Sequence, residues 1–267
     1  MKIEDGRPEF AQWVDRHEQP EGWALLPLTH ITRGLTADDV LRSGTVQPNH
    51  CDVLNESYAF FFYGRPAYRV GNSEVVKLEV ACPYCFLFHP RLLKRANKFY
   101  AFDTGAFGNR LFDHVVDEDF EVQDFALSNQ PDRLNKLITA AFGERSDYLR
   151  GDRTKVRLPE DAAMSHEHAA RTYLELLRSP GRNEPDDRVC SLEIVFADPV
   201  SLEGDLLAII APHTICESAA SNPLMQDILT AGVELVPYDF IPNRHPEHYH
   251  TLLEIQVIEY YRRKGFL

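Results

Sequence analysis

Short apolar segments bounded by polar and turn-forming residues recur along the chain, and most of them have the length of a strand. Apolar runs of about 4–8 residues that are rich in β-branched and aromatic side chains, and that end near Gly, Pro, Asn or Asp, are typical of strands. We predict strands at residues 23–31, 58–63, 75–81, 84–88, 189–196 and 206–212.

Segments with helical signals are fewer. Thr36 is a suitable N-cap with Asp39 three residues later, and Gly44 is a natural C-terminal stop, so a short helix is predicted between Thr36 and Gly44. Further helices are predicted at residues 91–97, 131–142, 165–178, 222–230 and from 246 to about 264.

The order of these elements indicates the fold class. Strands and helices do not alternate regularly enough for a doubly wound sheet, so the pattern favours an α+β fold with mixed or antiparallel central strands and flanking helices. We expect one domain over residues 1–267. Within it, a helical insertion is predicted at about 110–185 and a C-terminal helix at about 246–264.

Composition and charge narrow the possible partners. The chain has 267 residues, of which 44% are hydrophobic and 26% charged, as in ordinary globular proteins. Its formal net charge of -13 disfavours indiscriminate binding to nucleic acid or to an anionic membrane, because the long-range field repels both. We find no apolar stretch of membrane-spanning length and no secretory signal. The five scattered cysteines, an odd number, predict a reducing, cytoplasmic setting.

Two motifs have the residue types of metal sites. CPYC at residues 82–85 has the spacing of a zinc or redox pair, and Cys51 with His50 could complete a four-ligand set. RHPEHYH at residues 244–250 contains three histidines, of which only those three or four residues apart on a helix share a face. We interpret the cysteines as buried thiols and the histidines as solvated, and predict no metal.

Signatures of several enzyme classes are missing from the sequence. It contains neither GxGxxG nor GxxxxGK[ST], and no GxSxG, so a dinucleotide-binding Rossmann fold, a P-loop and a nucleophile elbow are not indicated. DTG occurs once, at residues 103–105, whereas an aspartic protease needs two carboxylates that share a proton.

Dispersed polar residues inside apolar segments remain as candidates for chemistry. His30 and Thr32 are two residues apart on a predicted strand and therefore share a face. Glu193 lies in an apolar strand, where burial of an unpaired carboxylate is costly, so its side chain faces solvent or projects into a site. The run FFFYGRPAYR at residues 60–69 adds two tyrosines and two arginines, Tyr63, Arg65, Tyr68 and Arg69.

Taken together, these segments resemble landmarks of the ADP-ribosyltransferase superfamily, and most closely those of the DarT-like toxins that modify DNA. HIT at residues 30–32, followed by Val40-Leu41 and Gly44, is similar to the opening strand and helix of that branch. YAFFFYGRP at residues 58–66 is similar to its aromatic strand and basic turn, and SLEIV at 191–195 to its acidic strand.

The resemblance implies an ADP-ribosyltransferase-like fold and an enzyme that uses NAD as a substrate. Such an enzyme transfers ADP-ribose to a nucleic-acid acceptor, short or single-stranded here, or to a protein. In this family the acid of the third landmark is catalytic, which implies that role for Glu193. Arg65 or Arg69 would pair with the pyrophosphate, because guanidinium groups bind phosphate oxygens well.

The resemblance also implies how NAD is held. His30 and Thr32 would hydrogen-bond the ribose and the nicotinamide region, and Tyr63 or Tyr68 would stack on the nicotinamide ring. The family context further implies a bacterial toxin or antiviral defence effector in the cytoplasm, restrained by an antitoxin or immunity partner.

Departures from the family pattern leave alternatives open. Thr36 stands where the branch usually has Asn, and residues 47–57 contain no arginine, so Arg65 or Arg69 would have to substitute. The alternatives are an NAD glycohydrolase, with water as acceptor, and a catalytically silent module of the same fold that binds a nucleotide or a protein. A third possibility is an interaction protein whose last helix docks on a partner.

Overall fold

The computed structural model describes residues 9–67, 75–179 and 188–267. The strands are β1 (Leu28–Arg33), β2 (Thr45–Val46), β3 (Asn49–Cys51), β4 (Glu56–Tyr63), β5 (Pro83–Phe88), β6 (Lys98–Tyr100), β7 (Glu193–Phe196), β8 (Val200–Ser201), β9 (Leu206–Pro212) and β10 (Glu234–Tyr238). The α-helices are α1 (Glu9–Asp15), α2 (Gly34–Ser43), α3 (Thr104–Gly108), α4 (Asp132–Phe142), α5 (Arg145–Leu149), α6 (Pro159–Ala162), α7 (His168–Arg178), α8 (His213–Ser218), α9 (Pro223–Thr230) and α10 (Pro246–Lys264).

One main sheet organises the fold. Its strands follow the order β10-β9-β5-β1-β4-β7-β6, and β3 pairs with the first half of β4. β10 and β9 are parallel, whereas the other neighbouring strands of the main sheet are antiparallel. β2 and β8 form a separate antiparallel pair. The predicted α+β class, with a mixed central sheet and flanking helices, is therefore confirmed.

Several predicted elements change type or bounds for local reasons. Gly44 ends α2 in the left-handed conformation with φ 65°, as predicted, but α2 begins at Gly34, so the predicted cap at Thr36 is wrong. The predicted strand at 75–81 contains an isolated bridge at Val76 and a short 3-10 helix, Glu79–Ala81. The predicted helix at 91–97 is a 3-10 helix, Pro90–Arg95, which begins with a proline that cannot donate a backbone hydrogen bond.

Some helices pack mainly on one another, and others pack on the sheet. α4 to α7 follow β6 and precede β7 in the chain, inside the interval where a helical insertion is predicted. α1 packs against α4 and α7, and the Phe10 ring contacts the rings of Trp13, Phe125 and Tyr173 at centroid distances of 5.6, 5.8 and 5.4 Å. α10, at the predicted bounds, packs across β10, β9 and β5.

The structure describes the surroundings of all five cysteines. All five cysteines are free thiols, and Cys82 and Cys85 are buried as predicted. Burial raises the pKa of the Cys82 thiol to about 12, which keeps it protonated and unreactive at neutral pH.

None of the helices in the described ranges combines the length and the apolar composition that a membrane span requires.

Candidate functional site

The three segments that carry the resemblance lie side by side in the sheet. β1 contains His30, β4 is the aromatic strand, and β7 begins with Glu193; the order across the sheet is β1-β4-β7. β4 pairs with β7 at four residue positions, so the aromatic strand is firmly joined to the acidic one. β4 and β7, which are about 130 residues apart in sequence, are thus adjacent in space.

β1 and β4 separate after a short paired region. Leu28 pairs with Tyr63 and Thr29 with Phe62, and these are the only two pairs between the two fully described strands. Beyond them the half-buried His30 ring turns towards β4, where its Nδ1 lies 2.8 Å from the carbonyl oxygen of Phe60. Burial lowers the pKa of His30, so its imidazole is neutral at neutral pH. We call this break in the pairing the β1–β4 gap.

The strand registers place the predicted site residues on two different faces. Glu193 is directly opposite Phe62 and Tyr100, and Phe62 is opposite Thr29, so these four side chains share one face. His30 and Thr32 alternate with Thr29 and therefore point to the other face. The structure brings the strands together but does not bring the Glu193 carboxyl beside the His30 ring.

Glu193 is buried beneath the start of α3. Its side chain is 2% exposed, and its two carboxyl oxygens accept hydrogen bonds from Thr104, one from Oγ1 at 2.7 Å and one from the backbone N–H at 3.1 Å. Loss of hydration, with the nearby Asp103 charge as a second cause, raises the pKa of Glu193 well above its usual value. The hydrogen bonds from Thr104 and the charge of Arg188 act in the opposite direction.

A second carboxyl stands next to Glu193. Asp103 caps α3, and its Oδ1 accepts a hydrogen bond of 2.7 Å from the backbone N–H of Ala106. Its Oδ2 lies 3.5 Å from Nη1 of Arg188, and both side chains of this ion pair are nearly buried. The site therefore holds two carboxyls and one guanidinium in a small buried volume, where charges interact strongly.

Tyr63 is a buried structural residue and does not line the site. The residue is fully buried, and its hydroxyl donates to Oδ1 of Asn135 at 2.8 Å and accepts from the backbone N–H of Leu26 at 3.0 Å. Burial raises its pKa far above the usual tyrosine value. No ring face of Tyr63 is open for stacking on a ligand in this structure. Phe60, half-buried on the same face as Glu193, is the aromatic side chain at the gap with exposed surface.

The Arg65 side chain lies under α10, although its backbone carbonyl accepts a hydrogen bond of 3.2 Å from Oγ1 of Thr29 in β1. Its side chain is 1% exposed, and Nη2 donates to Oε1 of Glu254 at 2.7 Å. Nδ1 of His250 is 3.8 Å from the other carboxyl oxygen of Glu254. His250 is buried, so the prediction that this histidine is solvated is wrong. Tyr68 and Arg69 lie outside the described residues.

Several functional candidates escape the sequence patterns. Thr104 and Asp103 are about 90 residues from Glu193 in sequence and Arg188 is close to it, but only the folded chain shows that the three surround its carboxyl. The DTG motif at residues 103–105 is the one sequence feature that indicates a helix start here, because Asp is a favoured N-cap residue. In the described ranges, no group of three or more potential metal ligands comes together.

Comparison of the chain with protein-family models, with curated proteins and with solved structures finds no match in any of the three.

Proposed function

We propose that the protein is an NAD-dependent ADP-ribosyltransferase with an ADP-ribosyltransferase-like fold, and that NAD binds at the β1–β4 gap. The single observation that supports this most is the adjacency of β1, β4 and β7, which gathers the three family-like segments around a break in the sheet. The His30 ring bridges the gap by its contact with the Phe60 carbonyl, so a flat ligand would enter between the unpaired parts of the strands when this ring turns aside.

The residues at the gap have the chemistry that this reaction needs. Cleavage of the nicotinamide–ribose bond passes through an oxocarbenium-like state, as glycoside hydrolysis does, and a carboxylate stabilises that cation. In the proposal Glu193 is this carboxylate, held by Thr104. The positive nicotinamide ring favours ionisation of a nearby carboxyl, so NAD itself would lower the pKa of Glu193.

The roles of the other residues follow from their positions. Phe60 offers a partly exposed ring on the Glu193 face and would stack on nicotinamide. His30 and Thr32 would reach the ligand from the other side of the gap. Arg69 and Tyr68 remain proposed ligands of the pyrophosphate and the ring, since Arg65 is already paired with Glu254.

The acceptor and the biological role are proposed from the resemblance alone. The net charge of -13 favours a protein or a short single strand over a long duplex, because a polyanion is repelled by an acidic protein. The role is that of a bacterial toxin or defence effector, and an antitoxin or immunity protein is the proposed partner.

Release of nicotinamide from NAD tests this proposal. The purified protein is assayed alone and with cell lysate, beside Glu193→Gln and the exposed control Glu203→Gln. We expect release that rises with pH, because the reactive form of Glu193 is the carboxylate, and a loss of at least about 100-fold in Glu193→Gln. Dependence on lysate indicates an acceptor, and release without lysate indicates NAD glycohydrolase activity. Equal rates for wild type and Glu193→Gln would rule out the catalytic role.

A second candidate is a catalytically silent module that binds a nucleotide or a protein partner. The enclosure of Glu193 favours it, since a carboxyl that is 2% exposed, and whose pKa is raised by burial, is inaccessible to a ligand unless the site opens. This candidate predicts NAD binding without nicotinamide release, and identical binding by wild type and Glu193→Gln in calorimetry.

A further inference from the structure

A second site lies between α5 and α10, lined by none of the residues at the β1–β4 gap. It is a cavity of about 370 Å³ that continues into a neighbouring one of about 350 Å³ through Leu149, Arg150, Ile258 and Arg262, which line both. Volumes in this range are typical of small-molecule pockets. The first cavity is the more basic, since Arg145, Arg150 and Arg262 line it together with a single acid, Glu144.

Arg145 is the buried member of this group. It is 8% exposed, its Nη1 donates to the carbonyl oxygen of Phe266 at 3.0 Å, and its Nη2 donates to that of Ala24. The guanidinium carbon lies 4.6 Å from the centre of the Trp23 ring. Its Nε is buried without a hydrogen-bond partner. Burial lowers the pKa of Arg145, which reflects a cation held in an apolar setting.

The three arginines are not neutralised by the protein. In the described part of the chain, no carboxylate forms an ion pair with Arg145, Arg150 or Arg262. Glu144 lines the same cavity without pairing to them, so the side chains that line the first cavity carry a formal charge of +2, whereas Glu254 and Glu259 line the adjoining one. Arg145 is the buried cation of the group, and a buried cation is unfavourable unless an anion compensates it.

We infer that this cavity binds a small molecule that carries phosphate. Guanidinium groups donate several hydrogen bonds in a planar fork, which matches the oxygens of a phosphate, and a dianionic phosphate matches the charge of +2. Leu149, Ile258 and the Trp23 ring supply apolar walls for the remainder of the ligand. The inference is independent of the proposed NAD chemistry.

Binding of defined phosphates to the full chain tests the inference. Calorimetric titrations use pyrophosphate and ribose 5-phosphate against wild type, the double variant Arg150→Gln/Arg262→Gln, and Arg42→Gln as the control. Arg150 and Arg262 are exposed, so their replacement spares folding, and Arg42 is an exposed arginine of α2 outside the cavity. We expect binding of at least one phosphate, weakened at least about tenfold in the double variant and unchanged in Arg42→Gln.

Three outcomes would overturn the inference. The first is no binding of either phosphate at millimolar concentration. The second is equal weakening in the double variant and in Arg42→Gln, which would mean non-specific charge screening. The third is tighter binding of citrate or of a short single-stranded oligonucleotide than of the two phosphates, which would assign the cavity to a carboxylate or to a polymer.

Discussion

Replacement of Glu193 by Gln should make the protein more stable, and increasingly so as the pH rises. Gln has nearly the same shape and cannot ionise, and its side-chain oxygen can still accept one of the hydrogen bonds from Thr104. The wild-type carboxyl is 2% exposed, so the variant removes an ionisable group from a buried place without leaving a cavity.

The direction of this change in stability follows from the direction of the pKa shift of Glu193. The folded-state pKa of Glu193 is raised above the ordinary value of 4.5. Stability from the buried neutral carboxyl is fully present below the unfolded pKa, and it is lost as the pH rises towards the folded pKa, because the unfolded chain ionises first. Each pH unit between the two pKa values costs wild type about 1.4 kcal/mol of unfolding free energy, and Glu193→Gln escapes this loss.

Urea denaturation at several pH values from about 5 to 8 measures the effect. The quantity is the unfolding free energy of Glu193→Gln minus that of wild type, which cancels the titration of the groups that do not interact with Glu193. It should grow with pH, while the same difference for Glu203→Gln, an exposed glutamate, stays flat. A difference for Glu193→Gln that is flat or shrinks with pH would refute the assignment of a raised pKa. A gain in stability with a loss of activity would mark Glu193 as a group retained for function.

Three further predictions concern the frame around the site and use the same denaturation assay. Tyr63→Phe should lose about 1–3 kcal/mol, because Asn135 and a backbone N–H lose their buried partner; an unchanged free energy would contradict that hydrogen bonding. Glu254→Gln should lose about 2–3 kcal/mol, because Arg65 stays buried with a weaker partner, and a neutral result would argue against the ion pair. Gly44→Ala should lose about 1 kcal/mol from its positive φ alone, since the new Cβ meets no atom within 4 Å; a larger loss would mean a clash.

Much of the fold could be predicted because local patterns dominate there. β9 and α10 have the bounds that the sequence indicates, because an apolar run ends at Pro212 and a long segment begins with Pro246 and stops before Gly265. Glu193 was predicted to lie in a strand, and it begins β7. The strand predicted at 75–81 is wrong because an apolar run does not by itself supply a neighbouring strand, and in the described residues Val76 alone of this segment forms a bridge, to Arg244 outside any strand.

The candidate site could be predicted only in part, because its partners come from distant segments. The sequence around Glu193 does not indicate that Thr104 donates a hydrogen bond to its carboxyl. Likewise, the sequence around Arg65 does not indicate its ion pair with Glu254. The sequence also does not indicate which face of the sheet each of these side chains shares, because that depends on the registers of β1, β4 and β7. His30 and Glu193 therefore fall on opposite faces although their strands are close neighbours.

Binding of NAD at the β1–β4 gap is the central claim, and calorimetry of NAD with wild type and Phe60→Ala tests it most directly. Phe120→Ala, which removes a half-buried phenylalanine of another region, is the matched control. We predict saturable binding that Phe60→Ala weakens by about threefold to tenfold, the worth of one aromatic stacking contact, and that Phe120→Ala leaves unchanged. Absence of NAD binding to wild type, or equal affinities for wild type and Phe60→Ala, would contradict the claim.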